Sequence, residues 1–246
     1  STGAALAAGL FNLKRARGIH RPALAVPVPV PGHPVTLLDV GANAEARPEH
    51  LVQFAYMGSA LASTLLGVHA PRVGLLANGE EPTKGTPLIR EVHERLSARS
   101  GIDFVGNVEG IDLTSGRADV IVTDGFTGNI ALKALEGASQ TTLGAVRSAA
   151  MSSPRAKLGG LLLKPALQGF RDEVDPEASG GAYLLGLRGL GIVPHGRFSF
   201  RGFANAILLA ARGADADIVG RTHGALEAAG ALRSAPQPSG ETPSVS

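Results

Sequence analysis

The stretch Ala118-Asp119-Val120-Ile121-Val122-Thr123-Asp124-Gly125-Phe126-Thr127-Gly128-Asn129 decides the fold. Val120 to Val122 is a short β-branched run, the mark of a buried parallel strand. It stops at Thr123-Asp124-Gly125, and Ile130 to Glu136 continues as strong helix-forming sequence. Strand, glycine-marked turn and helix follow one another without a break. Gly125 and Gly128 permit tight turning and a close approach of backbone to a ligand. In open α/β sheets, ligands collect at the carboxyl ends of strands, where helix N-termini present free N–H groups. Taken alone, the same residues also read as a plain turn with Asp124 capping the helix.

The construction recurs three more times. Val35 to Val40 reads as a strand running into Asp39-Val40-Gly41-Ala42-Asn43. Arg72 to Ala77 leads into the long polar loop from Asn78 to Thr86, which carries a single lysine, Lys84. Ile102 to Val105 is followed by Gly106-Asn107-Val108-Glu109-Gly110. Four repeats of strand, polar glycine-rich turn and helix predict a three-layer α/β/α sandwich with a mainly parallel sheet. Right-handed crossovers place all four loops on one edge. Asn43, Lys84, Asn107 and Asn129 are therefore expected to converge there, with Asp124, Gly125 and Gly128 beside them.

Composition narrows the chemistry. The 246 residues suit one large α/β domain or two small ones, and a core built from 44% hydrophobic but only 4% aromatic residues is aliphatic. The sequence contains no cysteine, which removes disulfides, thiolate metal sites and a cysteine nucleophile. A net charge of +2 gives no argument for nucleic acid. The seven histidines show no ligand spacing, so neither metal nor cofactor is expected. No apolar run has the length of a membrane span and there is no signal peptide, so the expected compartment is the cytoplasm.

The remaining segments complete a single domain over 1–233. Thr2 to Arg17 reads as a helix. Pro22 to Pro31 alternates valine with proline, predicting an edge strand or extended loop. Pro48 starts a helix to about Leu66, and another follows Pro87 to near Ser100. The helix from Ile130 reaches about Arg147. Arg155 to Arg171 carries Lys157, Lys164 and Arg171 on one face, with Leu158, Leu161, Leu162, Leu163, Leu167 and Phe170 over the rest. Pro165 predicts a kink or a split there. We expect 154–172 to protrude as amphipathic helices, serving as a dimer interface or a membrane-surface contact. Two strands follow Gly180-Gly181, with His195 at an exit. Helices are expected from Ser199 or Phe200 to Ala211 and from Asp215 to Ala229, then a disordered Pro- and Ser-rich tail over 234–246.

Read together and in order, these segments resemble the bacterial phosphate acyltransferase (PlsX) family. The resemblance rests on Leu38 to Asn43, Asn78 to Glu81 with Lys84-Gly85, Gly106 to Gly110, Asp124 to Asn129, Gly180 to Ala182 with Leu184 to Gly186, and His195-Gly196. It implies an isopropylmalate-dehydrogenase- and phosphotransacetylase-like fold, a homodimer, and formation of acyl phosphate from acyl-[acyl carrier protein] and inorganic phosphate in phospholipid synthesis. It also implies a peripheral membrane surface and a downstream membrane glycerol-3-phosphate acyltransferase. There are two departures. Tyr183 stands where the family usually has proline, and the family's upstream Asp-x-Met-Gly-Gly-Asp signature is not in the sequence. The chain therefore resembles a family member without its first part.

Phosphate is already an anion, so its attack on a thioester needs positioning and oxyanion stabilisation more than a base. With no cysteine and no Gly-x-Ser-x-Gly elbow, direct transfer is expected. Lys84 is the candidate cation, and Asn107 and Asn129 are candidate oxyanion donors. Asp124 is expected to orient Lys84 or a turn, Asn43 to line the site, and His195 to contact phosphate or the leaving thiolate. The competing readings are a coenzyme A-dependent phosphotransacetylase and a non-catalytic dimer that engages a membrane or partner. A nicotinamide dehydrogenase is disfavoured, since no Gly-x-Gly-x-x-Gly follows a strand.

Overall fold

A computed structural model describes residues 2–28, 30, 33–173 and 175–233. The 234–246 tail, Ser1 and the side chains of Leu167, Phe170 and Arg171 lie outside the described residues. The strands are β1 (Ala23–Val28), β2 (Val35–Leu38), β3 (Arg72–Leu76), β4 (Asp103–Val108), β5 (Val120–Val122), β6 (Ala182–Leu185) and β7 (Gly191–Val193). The helices are α1 (Thr2–Asn12), α2 (Pro48–Leu65), α3 (Pro87–Ser97), α4 (Gly125–Ala150), α5 (Pro154–Glu173), α6 (Pro176–Ser179), α7 (Phe200–Asp215) and α8 (Ile218–Ala228).

The strands form one sheet in the order β4-β3-β5-β2-β1-β6-β7. β4, β3, β5 and β2 pair in parallel, whereas β1, β6 and β7 join by antiparallel pairing. Five strands thus share one sense and β1 and β7 oppose them. Helices cover both faces, giving the three α/β/α layers. On one face α2, α3, α7 and α8 pack against Leu38, Val73, Val120 and Val122. On the other, Leu6 and Leu10 of α1 and Ala131, Leu132 and Leu135 of α4 meet Leu24, Leu37 and Ile121. The alternation along β2, Leu37 to one face and Leu38 to the other, is the period-2 rule at work.

Several expected boundaries and roles change. The proline-containing β1 is an interior strand, not an edge. Leu24 O accepts from Val40 N, so alternate residues Ala23, Ala25 and Pro27 direct their backbone groups toward β6. β6 pairs only with Ala23 to Ala25, and Pro27 falls beyond it, where a missing N–H breaks no ladder bond. The first helix ends at Asn12 instead of Arg17, because Lys14 adopts a left-handed φ of 61° and the chain bends into the Arg15–Leu187 bridge. β4 extends to Val108, so Asn107 stands on a strand and not in a loop. α5 runs through Pro165 as one helix and meets α4 near their joint, where Gly160 lies against Ala150.

Candidate functional site

The carboxyl ends of β2, β3, β4 and β5 lie on one edge, because those strands are parallel neighbours. Asn43, Lys84, Asn107 and Asn129 are therefore gathered at that edge. Their side chains, however, are differently employed.

Asn43 has a structural role. Asp39, fully buried, accepts from the backbone N–H groups of Leu24, Gly41, Ala42 and Asn43 at 2.8 to 3.1 Å, and from Asn43 Nδ2 at 2.8 Å. Asn43 Nδ2 also donates to Pro22 O at 2.7 Å. Burial pushes the Asp39 carboxyl upward, and these N–H donors pull against it. The loop after β2 thus folds its amides around its own carboxylate. An anion nest of this kind is already filled from within.

Asn107 is likewise engaged. Its Oδ1 lies 2.9 Å from His93 Nδ1, and its Nδ2 donates to Glu81 O at 2.9 Å. It ties α3 and the loop of residues 78–86 to β4. His93, which sequence reading missed, is visible only once α3 packs beside β4. The same loop is braced by Gly85 N donating to Asn78 Oδ1 at 2.8 Å and by an Arg117–Glu80 ion pair.

Asp124 is the N-cap of α4. It accepts from Phe126 N at 3.0 Å, Thr127 N at 2.9 Å and Thr127 Oγ1 at 2.7 Å, and it does not pair with Lys84. Of the expected alternatives, orienting Lys84 or a turn, the carboxylate takes the turn, since two free amides of the first turn lie within its reach. Gly125 and Gly128 belong to that first turn. A Cβ on Gly128 would stand 1.9 Å from Asp39 O, and one on Gly125 2.7 Å from Asn43 O. These glycines let α4 press against the loop after β2, a packing requirement. Gly125 N donates to Asn43 O at 2.8 Å across the contact. Thr123 packs its methyl under Gly128, and its buried Oγ1 has no partner among the described residues.

Two polar candidates keep their side chains unpaired among the described residues. Lys84 is exposed on the loop of residues 78–86 and makes no ion pair. Asn129, half-buried just past the first turn of α4, stands beside Gly41, where an added Cβ would lie 3.8 Å from Asn129 Cβ. β3 and β5 are neighbours, so the loop that carries Lys84 and the start of the helix that carries Asn129 leave the sheet from adjacent strands.

His195 is placed elsewhere. Ala182 pairs with Val193 and Ala25 with both Tyr183 and Leu38, so the chain after β7 reaches the level of the amino end of β2. His195 is exposed there, its Nδ1 accepting from Arg197 N at 3.3 Å. It remains connected to Asn129 by a cleft of about 480 Å³ along the α4 face of the sheet. A second, more apolar cavity of about 410 Å³ lies on the α2 face near Pro34 and Thr36, and none of the expected site residues lines it. Tyr183 closes the sheet beneath it, buried and donating to Leu209 O at 3.0 Å.

One cluster was not legible in the sequence. His20, Glu49 and His50 bring possible ligand atoms within 4.8 Å of one another. Partial burial lowers both imidazoles despite the Glu49 charge. Yet His50 Nδ1 accepts from Arg47 N at 3.2 Å, which leaves the proton on Nε2. Arg15, Arg21, Arg47 and Arg233 also act on these imidazoles as positive neighbours, an environment that opposes a cation. Within the group, His50 forms the reciprocal cap with Arg47 at the start of α2.

Comparison with known proteins agrees with this architecture. The family model described as "Fatty acid synthesis protein" matches residues 1–221. A phosphate acyltransferase of Thermobifida fusca is 47% identical over 213 residues, 85% of this chain and 59% of the relative. One from Magnetococcus marinus is 45% identical over 231 residues, covering 92% and 66%. One from Lactococcus lactis is 43% identical over 223 residues, covering 90% and 67%. The chain thus spans about 60% of the length of the first of these relatives. Among solved structures, the EutD phosphotransacetylase from Staphylococcus aureus superposes with a TM-score of 0.56 at 16% identity, over 84% of this chain and 58% of that one. A phosphotransacetylase from Streptococcus pyogenes gives 0.56 at 16%, over 87% and 60%. At such identity the likeness is one of fold. The sequence matches go further, and the chain belongs to the fatty acid synthesis protein family, in which its curated relatives are named phosphate acyltransferase.

Proposed function

We propose that the chain carries the phosphate-side machinery of an acyltransferase that forms acyl phosphate from acyl-[acyl carrier protein] and inorganic phosphate. The observation that carries this reading is the pair Lys84 and Asn129. Among the described residues they are the polar candidates left free of protein partners, Lys84 on the loop after β3 and Asn129 near the start of α4 after the neighbouring β5, on the edge where a parallel sheet presents its strand ends. Lys84 offsets the charge of phosphate against Glu80 and Glu81 on its own loop. A phosphate oxygen adds to the thioester carbonyl carbon, and the Asn129 amide donates to the oxyanion that forms. Collapse then breaks the C–S bond, and the carrier thiolate leaves and takes up a proton. No covalent acyl-enzyme is required, and cysteine is absent. Asn107, Asp124 and Asn43 act as positioning residues. They hold the loop of residues 78–86, the start of α4 and the loop after β2. The test is hydroxylamine capture of acyl phosphate from acyl-carrier and acyl-coenzyme A substrates offered in parallel. Product from the carrier substrate is expected. Equal turnover of the coenzyme A substrate would assign the phosphotransacetylase reading, and no product from either would refute acyl transfer by this chain.

Acyl phosphate is consumed by acylation of glycerol-3-phosphate at the membrane, so the same reading includes a peripheral membrane surface, a membrane acyltransferase partner and a cytoplasmic location. Among the described residues no helix is long and apolar enough to cross a membrane. Support comes from α5, where Leu158, Leu161 and Leu162 are 62%, 65% and 75% exposed with Lys157 and Lys164 beside them, a pattern suited to an anionic bilayer surface. A homodimer has a second candidate surface in α7, whose Phe200, Phe203 and Ile207 form an exposed stripe. Leu161→Glu with Leu162→Glu is expected to abolish sedimentation with anionic liposomes while leaving the fold intact. Undiminished sedimentation would confine α5 to protein contacts.

A further inference from the structure

We infer that the cleft between α4 and the β1–β6–β7 half of the sheet is the acyl-chain groove, with the reacting carbonyl at its Asn129 end. This rests on the acyl-transfer reading above. Asn129 lies at one end of the cleft. From there the walls are Leu24 and Val26 of β1, Val40, Leu132 of α4 and Val193 of β7. Val26, Leu132 and Val193 are only half-buried, although each packs on the adjoining core. They form a concave apolar surface of the kind that takes small-molecule ligands, which occupy roughly 300 to 1,000 Å³. The far end carries polar and aromatic groups, His195, Phe198 and Glu136, at the opposite edge of the sheet.

The direction of the groove follows from the topology. The antiparallel insertion of β1 carries the chain from the carboxyl edge at Ala23 back to the amino edge at Val28. A long acyl chain laid along β1 therefore runs from the phosphate edge across the width of the sheet. The α2-side cavity is a poorer host. It is lined by Pro34, Thr36 and Leu65 at the amino edge, away from Lys84 and Asn129. Distance from the thioester, not apolarity, decides between the two. In the proposed groove the room between Asn129 and His195 sets the chain length accepted.

The test narrows the groove with Val26→Phe on β1 and Val193→Phe on β7, which the register sets at one level midway along it, and narrows the α2-side cavity with Leu65→Phe as the comparison. Acyl phosphate formation is followed with carrier substrates of increasing chain length, alongside displacement of a fluorescent fatty acid from the same proteins. Burial of each methylene changes affinity by about fourfold, so losing room for a few carbons should lower transfer of the longest chains by about tenfold or more. Short chains should be retained, with the two groove variants setting a similar limit. An unchanged chain-length profile in both folded groove variants, or a shortened profile in Leu65→Phe, overturns the assignment. If the unaltered chain makes no acyl phosphate from any substrate, the acyl-transfer reading fails, and the fatty acid probe then judges the groove separately. Probe binding lost in Val193→Phe upholds an acyl groove, and binding unchanged in both groove variants rejects it.

Discussion

Gly128→Ala is the sharpest test of how the candidate edge is built. The added Cβ would stand 1.9 Å from Asp39 O, 2.7 Å from Thr123 Cγ2 and 3.0 Å from Asp39 C. The carbonyl contact is backbone, so no rotamer change relieves it. α4 has to retreat by at least about 1 Å, and overpacking of this kind costs about 1 to 3 kcal/mol or more. Alanine regains up to about 1 kcal/mol in helix propensity over glycine. Because Asp39 is locked by its N–H donors, the high end applies, and a net loss of about 2 to 3 kcal/mol is expected. For a chain of this size that lowers Tm by roughly 4 to 12 °C. Gly137→Ala is the matched control. It lies in the same helix, exposed, with nothing within 4 Å of an added Cβ, so it should stabilise by about 0.5 to 1 kcal/mol. Urea denaturation followed by circular dichroism reads both. Gly128→Ala should also lower turnover, since the retreat carries Asn129 with it. A Gly128→Ala protein as stable as wild type would refute the contact between α4 and the loop after β2, and with it the placement of Asn129.

Three further outcomes are expected. Lys84→Met and Asn129→Ala should each reduce turnover about 100-fold or more, as for groups aimed at a forming charge, while melting temperature moves little because neither is in the core. Parallel loss of activity and stability would make the residue structural. Burial raises the Asp119 carboxyl, but hydrogen bonds from Arg72 and the charges of Arg72 and His33 outweigh it, so the carboxyl lies below its usual range. Its contribution is therefore complete above the unfolded value of about 3.9 and is lost as pH falls through the lower folded value. Asp119→Asn should cost about 1.5 to 3 kcal/mol at neutral pH and flatten that acid loss, and an unchanged acid limb in urea titrations would remove Asp119 as its source. Finally, neither equimolar zinc nor a chelator should change the melting temperature. A zinc-dependent rise, lost in His20→Ala, would reassign His20, Glu49 and His50 as a metal site.

The sequence by itself determined what depends on local order. Short β-branched runs ending in glycine-marked polar turns predicted the parallel half of the sheet and its common edge, because strand period and crossover handedness act within each unit. Tertiary structure alone decided the rest. β1 became interior because β6, almost 160 residues later, pairs with Ala23 to Ala25, and its proline is tolerated because that pairing stops short of Pro27. Asn43, Asn107 and Asp124 were legible as polar loop residues, and the cap by Asp124 on the first turn of α4 was legible with them, but the bonds of Asn107 to His93 and Glu81 O and of Asn43 to Pro22 O were not, since those partners arrive only when distant segments close on the strands. Gly128 looked like a ligand-facing glycine until the Asp39 carbonyl stood against it. His195 looked like another strand exit, and only the sense of β7 placed it at the opposite edge. A sequence specifies which groups a residue can bond, whereas the packing of distant segments decides which of those bonds are taken. Among the described residues, no such segment bonds the side chains of Lys84 and Asn129 at the edge.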